Sequence, residues 1–219
     1  MSTLLLMKLF ESIPSRYDRG IRWLTGGRLD DVYDRLTSHV KPGDSVLDVG
    51  CGTGALSLRA AKRGARVKAI DIDPGMLDIA MKKAEEAGLS QSIEFVEMGI
   101  AELGREEGQS YDAVTSGLCL SELTEQELDY TLHEIHRILR PEGLFLIADE
   151  VRPKSIMRKI FNVLFRSLLK VLVFLTTRTT TRALINFQGR IEKRGFRMIS
   201  SELNKGQDFL ELIAKKMTE

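Results

Sequence analysis

In the stretch Val46-Leu47-Asp48-Val49-Gly50-Cys51-Gly52-Thr53-Gly54, an acidic residue stands two positions before the first of three alternating glycines. Glycine has no Cβ and accepts positive φ, so a turn of this kind lets the backbone come close to a ligand. Ala55 to Lys62 follows with helical spacing. A helix beginning there aims unpaired N–H groups and a partial positive charge at the same point. The next apolar run, Ala65 to Ile70, ends in Asp71, where a carboxylate would meet ribose hydroxyls. The chemistry implied is the binding of a nucleoside, and a dinucleotide or another nucleoside cofactor would satisfy it.

The elements that must hold these residues alternate strand and helix almost throughout, which implies a mostly parallel sheet covered on both faces. Asp73-Pro74-Gly75 opens a helix over about 76–87, with Lys82, Lys83, Glu85 and Glu86 forming a solvated face. Ile93 to Val96 and Tyr111 to Ser116 read as the third and fourth strands. Thr124 with Glu127 three residues on is a capping box for a helix that stops before Pro141-Glu142-Gly143. Leu144 to Ala148 is an apolar strand ending in Asp149-Glu150. Gly195 to Ile199 and Phe209 to Ala214 read as a closing pair of strands. The expectation is one α/β unit over 1–219: a helical cover (1–40), a cofactor-binding core (41–150), a basic helical cap (151–191) and a strand hairpin (192–219).

The dinucleotide fingerprint is formally met by Gly50, Gly52 and Ala55. Asp48 lies inside the strand, however, and the third glycine, Gly54, arrives one position early. The block Val-Leu-Asp-Val-Gly-Cys-Gly-Thr-Gly resembles the first motif of the class I S-adenosylmethionine-dependent methyltransferases. Tyr111-Asp112, Leu139-Arg140-Pro141-Glu142-Gly143 and Asp149 extend the resemblance over roughly residues 8–215. It implies a Rossmann-like seven-stranded sheet, mostly parallel with an antiparallel last strand, and a helical cap inserted between strands five and six. It also implies S-adenosyl-L-methionine as cofactor, with Asp48 placing the methionine ammonium group, Asp71 binding the ribose, and Gly50 and Gly52 making room. NAD offers no ammonium group for Asp48. Tyr17 and Thr53 are expected at the methionine carboxylate, Ser116 beside the methionine portion, Met76 against adenine, and Ile72 among the cofactor-binding residues. The family often carries Gly-Asp-Ala or Gly-Asn-Ala after strand three. Here Gly99-Ile100-Ala101 leaves adenine to the backbone of Ile100 and Ala101.

Within the class, Phe10 to Asp18 resembles the C-methyltransferases of quinone biosynthesis. Ser116-Gly117-Leu118-Cys119, Glu122-Leu123 and Asp149 to Pro153 are closer to methyltransferases associated with corrinoid proteins. Two readings follow: a methyltransferase for a small or lipid-like acceptor, or a cofactor-binding accessory protein that docks on a corrinoid protein. Methyl transfer is an in-line displacement that asks mainly for alignment and desolvation. If the nucleophile arrives protonated, a base is needed. Glu150, at a strand end facing the crevice, is the candidate, with Cys119, Glu122 and Asp149 nearby. Cys51 and Cys119 read as small packing residues. His133 and His136 share a helix face, but no third ligand accompanies them, so no metal site is expected.

Residues 151–191 contain no Asp or Glu and nine Lys or Arg, which leaves the rest of the chain at −8 against an overall +1. Apolar residues at helical spacing form a broad stripe that Arg158, Lys159, Arg166 and Lys170 interrupt. A transmembrane span of about 20 apolar residues is therefore not expected. A basic helix with such a face suits a lid over the crevice, or a membrane surface met through 151–182. The near-neutral total gives no argument for nucleic acid. Two cysteines make no disulfide framework, and the N-terminus lacks the charge and cleavage pattern of a signal peptide. The expected location is the cytoplasm, peripheral to membrane where the basic segment touches one.

Overall fold

The computed structural model describes residues 18–20, 22, 25, 27–151, 184, 186–204 and 209–218. Tyr17 and residues 152–183, most of the expected cap, lie outside the described residues. The strands are β1 (Ser45–Val49), β2 (Arg66–Asp71), β3 (Ile93–Glu97), β4 (Tyr111–Gly117), β5 (Leu139–Glu150), β6 (Phe196–Leu203) and β7 (Phe209–Lys216). They form one sheet in the order β3-β2-β1-β4-β5-β7-β6. The first five pair in parallel, and β7 runs antiparallel to both β5 and β6. The expected α/β class, strand number and antiparallel last strand are those observed. Strand order reverses between β1 and β4, and a ligand crevice opens outside the carboxyl ends of strands at such a switch point.

Side chains alternate across each strand, so β1 feeds two cores. Val46 joins α1 (Arg28–Thr37), α2 (Ala55–Lys62) and α3 (Pro74–Glu86) on one face. Leu47 and Val49 join α4 (Glu125–Ile138) and α5 (Phe187–Lys193) on the other. Each helix has a local cause. α1 buries Leu29, Val32, Tyr33 and Leu36, a single stripe at helical spacing. α3 starts where the Asp73 carboxylate accepts from the N–H groups of Gly75 and Met76, with Pro74 in the first turn. α4 carries the expected capping box: Thr124 Oγ1 accepts from Glu127 N at 3.2 Å, and the Glu127 carboxylate accepts from Thr124 N at 2.8 Å.

One expectation changes. The Pro141-Glu142-Gly143 stretch is not a turn ahead of β5 but part of the strand, which begins at Leu139. Leu139 already pairs with Tyr111, and a register shift between Tyr111 and Ala113 absorbs the extra residues as a bulge. Arg140 donates to the Asp112 carboxylate at 2.6 Å and Lys215 forms an ion pair with Glu142, so neighbouring side chains hold the bulge.

At the far end of β5, Val151 and Leu184 form a parallel bridge, and Leu184 N donates to Glu150 O at 3.2 Å. The chain leaves the sheet and rejoins it at one place, the carboxyl end of β5.

Candidate functional site

The three glycines of the β1–α2 turn have φ of +68° (Gly50), +52° (Gly52) and +80° (Gly54). All three lie in the left-handed region that other residues enter only with strain. Gly50 N and Cys51 N both donate to Ile70 O at 2.9 Å, which pins the turn to β2. A Cβ on Gly50 would stand 2.4 Å from Cys119 Sγ, whereas one on Gly52 would meet nothing within 4 Å. Gly50 is therefore required by packing, and Gly52 by a space the turn leaves open.

Two carboxylates lie on the strands that flank this turn, Asp71 at its edge and Asp48 beneath it. Asp71 ends β2, where its Oδ2 accepts from Gly52 N at 2.7 Å and its Oδ1 from Asp73 N at 3.0 Å. Two fixed N–H groups orient the carboxylate, and its remaining lone pairs are available for hydroxyl groups. Burial raises its pKa. Asp48 lies deeper, 1% exposed. It occupies a position of β1 that points into the α1–α2 core, where one oxygen accepts from Ser57 Oγ at 2.5 Å and the other from Thr115 Oγ1 at 2.7 Å. Burial pushes its pKa up to about 6 against the downward pull of those hydroxyls.

The pH dependence follows from that shift. A carboxyl with a raised folded pKa stabilises the fold below its unfolded value of 3.8 and loses that contribution as pH rises through about 6. Asp48→Asn keeps the shape without the charge. It is expected to raise the thermal midpoint by a few degrees at about pH 8 and to flatten its fall between about pH 4 and 7. Asp149, also pushed to about 6 by burial, leaves a residual slope. An Asp48→Asn midpoint that tracks wild type across that range would remove Asp48 as the titrating group.

The remaining expected residues distribute unevenly. Ile72, beside Asp71, is 74% exposed, an apolar side chain standing in solvent at a strand end with Gly99 against it. Met76 is buried in the first turn of α3. Ile100 and Ala101 open a 3-10 turn whose first amides have no partner within the turn. The Ala101 carbonyl accepts from Tyr130 Oη at 3.2 Å. Ser116 is fully buried, and its hydroxyl donates to Val49 O at 3.2 Å, so it ties β4 to β1 and presents only backbone to the crevice. The Thr53 hydroxyl donates to Asp18 at 2.6 Å, so the expectation that it serves a ligand carboxylate falls to its amide instead. Glu150 is buried at the end of β5 beside Asp149, whose carboxylate accepts from Ser121 N at 3.1 Å and Glu150 N at 2.7 Å. Tyr17 is outside the described residues.

Neither cysteine is set up as a nucleophile. Burial pushes both thiols up, and at Cys119 the carboxylates of Glu122 and Asp149 add to it. His136 stacks edge-on against Phe196 at 5.2 Å, and no metal-binding cluster occurs among the described residues.

Ser57 and Thr115, which hold Asp48, went unrecognised in the sequence. The signal was there as two hydroxyls on the buried faces of α2 and β4. Lys83, expected on a solvated face, instead donates to Thr53 O at 3.1 Å and pairs with Asp18. Tyr33 of α1 brings its ring under the site. Its hydroxyl stands 2.6 Å from where a Gly117 Cβ would be, and burial raises its pKa. Leu118 follows with φ +61°, a strained backbone for a leucine at the strand end.

A family model described as a methyltransferase domain matches residues 46–143. The 2-phytyl-1,4-naphtoquinone methyltransferase of Nostoc sp. is 31% identical over 153 residues, which cover 67% of this chain and 65% of that protein. The ubiquinone/menaquinone biosynthesis C-methyltransferase of Rhodopseudomonas palustris is 37% identical over 155 residues, covering 66% and 59%. This chain thus spans less than two thirds of either relative. Among solved structures, geranyl diphosphate methyltransferase in complex with SAM aligns with a TM-score of 0.67 at 14% identity, covering 92% of this chain and 91% of that one. The cyclase SpnF aligns with a TM-score of 0.70 at 18% identity, covering 87% and 81%. These structural likenesses show the fold, which supports more than one chemistry.

Proposed function

Because this chain belongs to the class I S-adenosylmethionine-dependent methyltransferase family, we propose that its crevice binds S-adenosyl-L-methionine and that it methylates a lipid-like quinone precursor. The observation that carries the reading is the Asp71 carboxylate, held by two backbone N–H groups beside the open face of Gly52 and next to exposed Ile72. A pair of ribose hydroxyls fits the carboxylate's free lone pairs, and a planar base fits the apolar Ile72 side chain, with the Ile100 and Ala101 amides at its edge. Asp48 supplies negative charge toward the methionine ammonium group. With a pKa of about 6 it is ionised for that task at neutral pH and above. The Gly52–Thr53 backbone faces the methionine carboxylate, with Tyr17 closing over it. The bound sulfonium supplies the methyl group.

The quinone acceptor is carried over from the names of the relatives, and the same names give the corrinoid-protein reading no support. Methylation of a ring carbon forms a C–C bond, breaks the S–C bond and releases one ring proton. We assign that proton to Glu150, buried at the carboxyl end of β5. Val151 and Leu184, which bound residues 152–183, pair at the same strand end, and that interval carries eight Lys and Arg. We assign to this segment contact with an anionic membrane surface from the cytoplasmic side. Among the described residues no helix is long and apolar enough to cross a membrane.

Titration calorimetry with S-adenosylmethionine and with NAD, followed by turnover to S-adenosylhomocysteine on demethylated naphthoquinols, tests the reading. Binding of NAD in preference would overturn the cofactor, and turnover only on non-quinone acceptors would overturn the acceptor. For the basic segment, replacing Arg158, Lys159, Arg166 and Lys170 with Gln is expected to weaken partition onto vesicles of one-third phosphatidylserine by about tenfold or more. Wild-type protein that stays off those vesicles would end the membrane assignment.

A further inference from the structure

We infer that Lys83 is a positioning residue that fastens the chain preceding α1 across the cofactor turn, through a closed ring of contacts with Asp18 and Thr53. The inference rests on the cofactor reading above and adds the contacts that hold the turn in place. Lys83 projects from α3 and makes two contacts at once: Nζ donates to Thr53 O at 3.1 Å and forms an ion pair with Asp18 Oδ2. Asp18 closes the ring, because its other oxygen accepts from Thr53 Oγ1 at 2.6 Å. Three segments far apart in sequence, the chain before α1, the glycine turn and α3, are thereby joined at one residue of the turn.

The chemistry at this point calls for such a fastener. Thr53 is 2% exposed and sits between two positive-φ glycines, so its peptide orientation decides whether its amide faces the ligand. Lys83 holds the Thr53 carbonyl and Asp18 accepts from its hydroxyl, which fixes the residue whose amide is offered to the ligand. The neighbouring Lys82 is exposed, so the ring selects one of two adjacent lysines.

The Lys83 and Asp18 side chains are 29% and 51% exposed, so the pair is open to screening by salt. Cofactor affinity therefore inherits a salt dependence that a purely neutral turn would lack. Lys83→Met is expected to weaken S-adenosylmethionine binding by about three- to fivefold, the range of an exposed pair, and to remove most of its decline between low and high salt. Lys82→Met leaves both unchanged. Asp18→Asn in the Lys83→Met background costs little more than either change alone, because both break one ring. Hydrogen exchange in the ligand-free protein gives the second readout, with residues 18–22 exchanging faster in Lys83→Met than in wild type. Additive effects of the two substitutions, a retained salt dependence in Lys83→Met, or unchanged exchange at 18–22 would each overturn the inference. A wild type that binds no S-adenosylmethionine would instead overturn the cofactor reading, and the exchange comparison would still decide the role of Lys83.

Discussion

Gly50→Ala is expected to lower folding stability by about 2–5 kcal/mol, combining about 1–2 kcal/mol for alanine in the left-handed region with about 1–3 kcal/mol for overpacking. The added methyl would stand 2.4 Å from Cys119 Sγ and 2.6 Å from its Cβ, and neither can retreat far, since Cys119 begins the tight turn after β4. Urea unfolding measures the effect. Cys119→Ala in the same background removes the sulfur while leaving the φ strain, so about half of the loss should return. Gly52→Ala carries a similar φ penalty with open space around it. It should cost less stability than Gly50→Ala while harming cofactor binding more, because its methyl enters the space a ligand would use. Equal stability losses at the two glycines would show that the Cys119 contact is not what requires Gly50.

Asp71→Ala is expected to weaken S-adenosylmethionine binding by about 1–3 kcal/mol, the usual cost of leaving buried polar groups without a partner. That is roughly 5- to 150-fold. Part of the loss is indirect, because the carboxylate also holds Gly52 N and Asp73 N. An analogue lacking the ribose 2′-hydroxyl separates the two parts. Wild type should bind it more weakly than the parent compound, whereas Asp71→Ala should bind both alike if the carboxylate touches that hydroxyl. Unchanged affinity in Asp71→Ala would remove the ribose assignment.

The framework of the fold was legible because its signals are local. Alternating apolar runs, the Asp73-Pro74 start of α3 and the Thr124–Glu127 box each act within a few residues, and the family resemblance of the glycine block implies seven strands with the last antiparallel. The glycine turn and Asp71 were legible for the same reason, their spacing being set by one strand–turn–helix–strand unit. The start of β5 was not. Proline and glycine usually mark a turn, and only the cross-strand pairing of Leu139 with Tyr111 and the ion pairs of Arg140 and Glu142 convert that stretch into a bulged strand. The environments of site residues were hidden for a related reason. That Asp48 is held by Ser57 and Thr115, that the Thr53 hydroxyl turns to Asp18, and that Lys83 leaves its solvated face all depend on contacts between distant segments. Spacing along one helix cannot report which distant segment lies across it.

The bridge between Val151 and Leu184 bears on how this chain could acquire new specificities. The two residues pair in parallel where β5 ends, so the two ends of the 32-residue interval between them meet at one address. Loop-closure entropy grows slowly with length, and a parallel return needs only about a dozen residues. The interval can therefore be lengthened, shortened or exchanged while the sheet and the glycine turn keep their stability. If that interval meets the acceptor as proposed, a graft of another relative's segment between 151 and 184 is expected to change acceptor preference while S-adenosylmethionine affinity holds. Divergence within such a lineage would then concentrate in this one interval, with the strands on either side left as its fixed sockets.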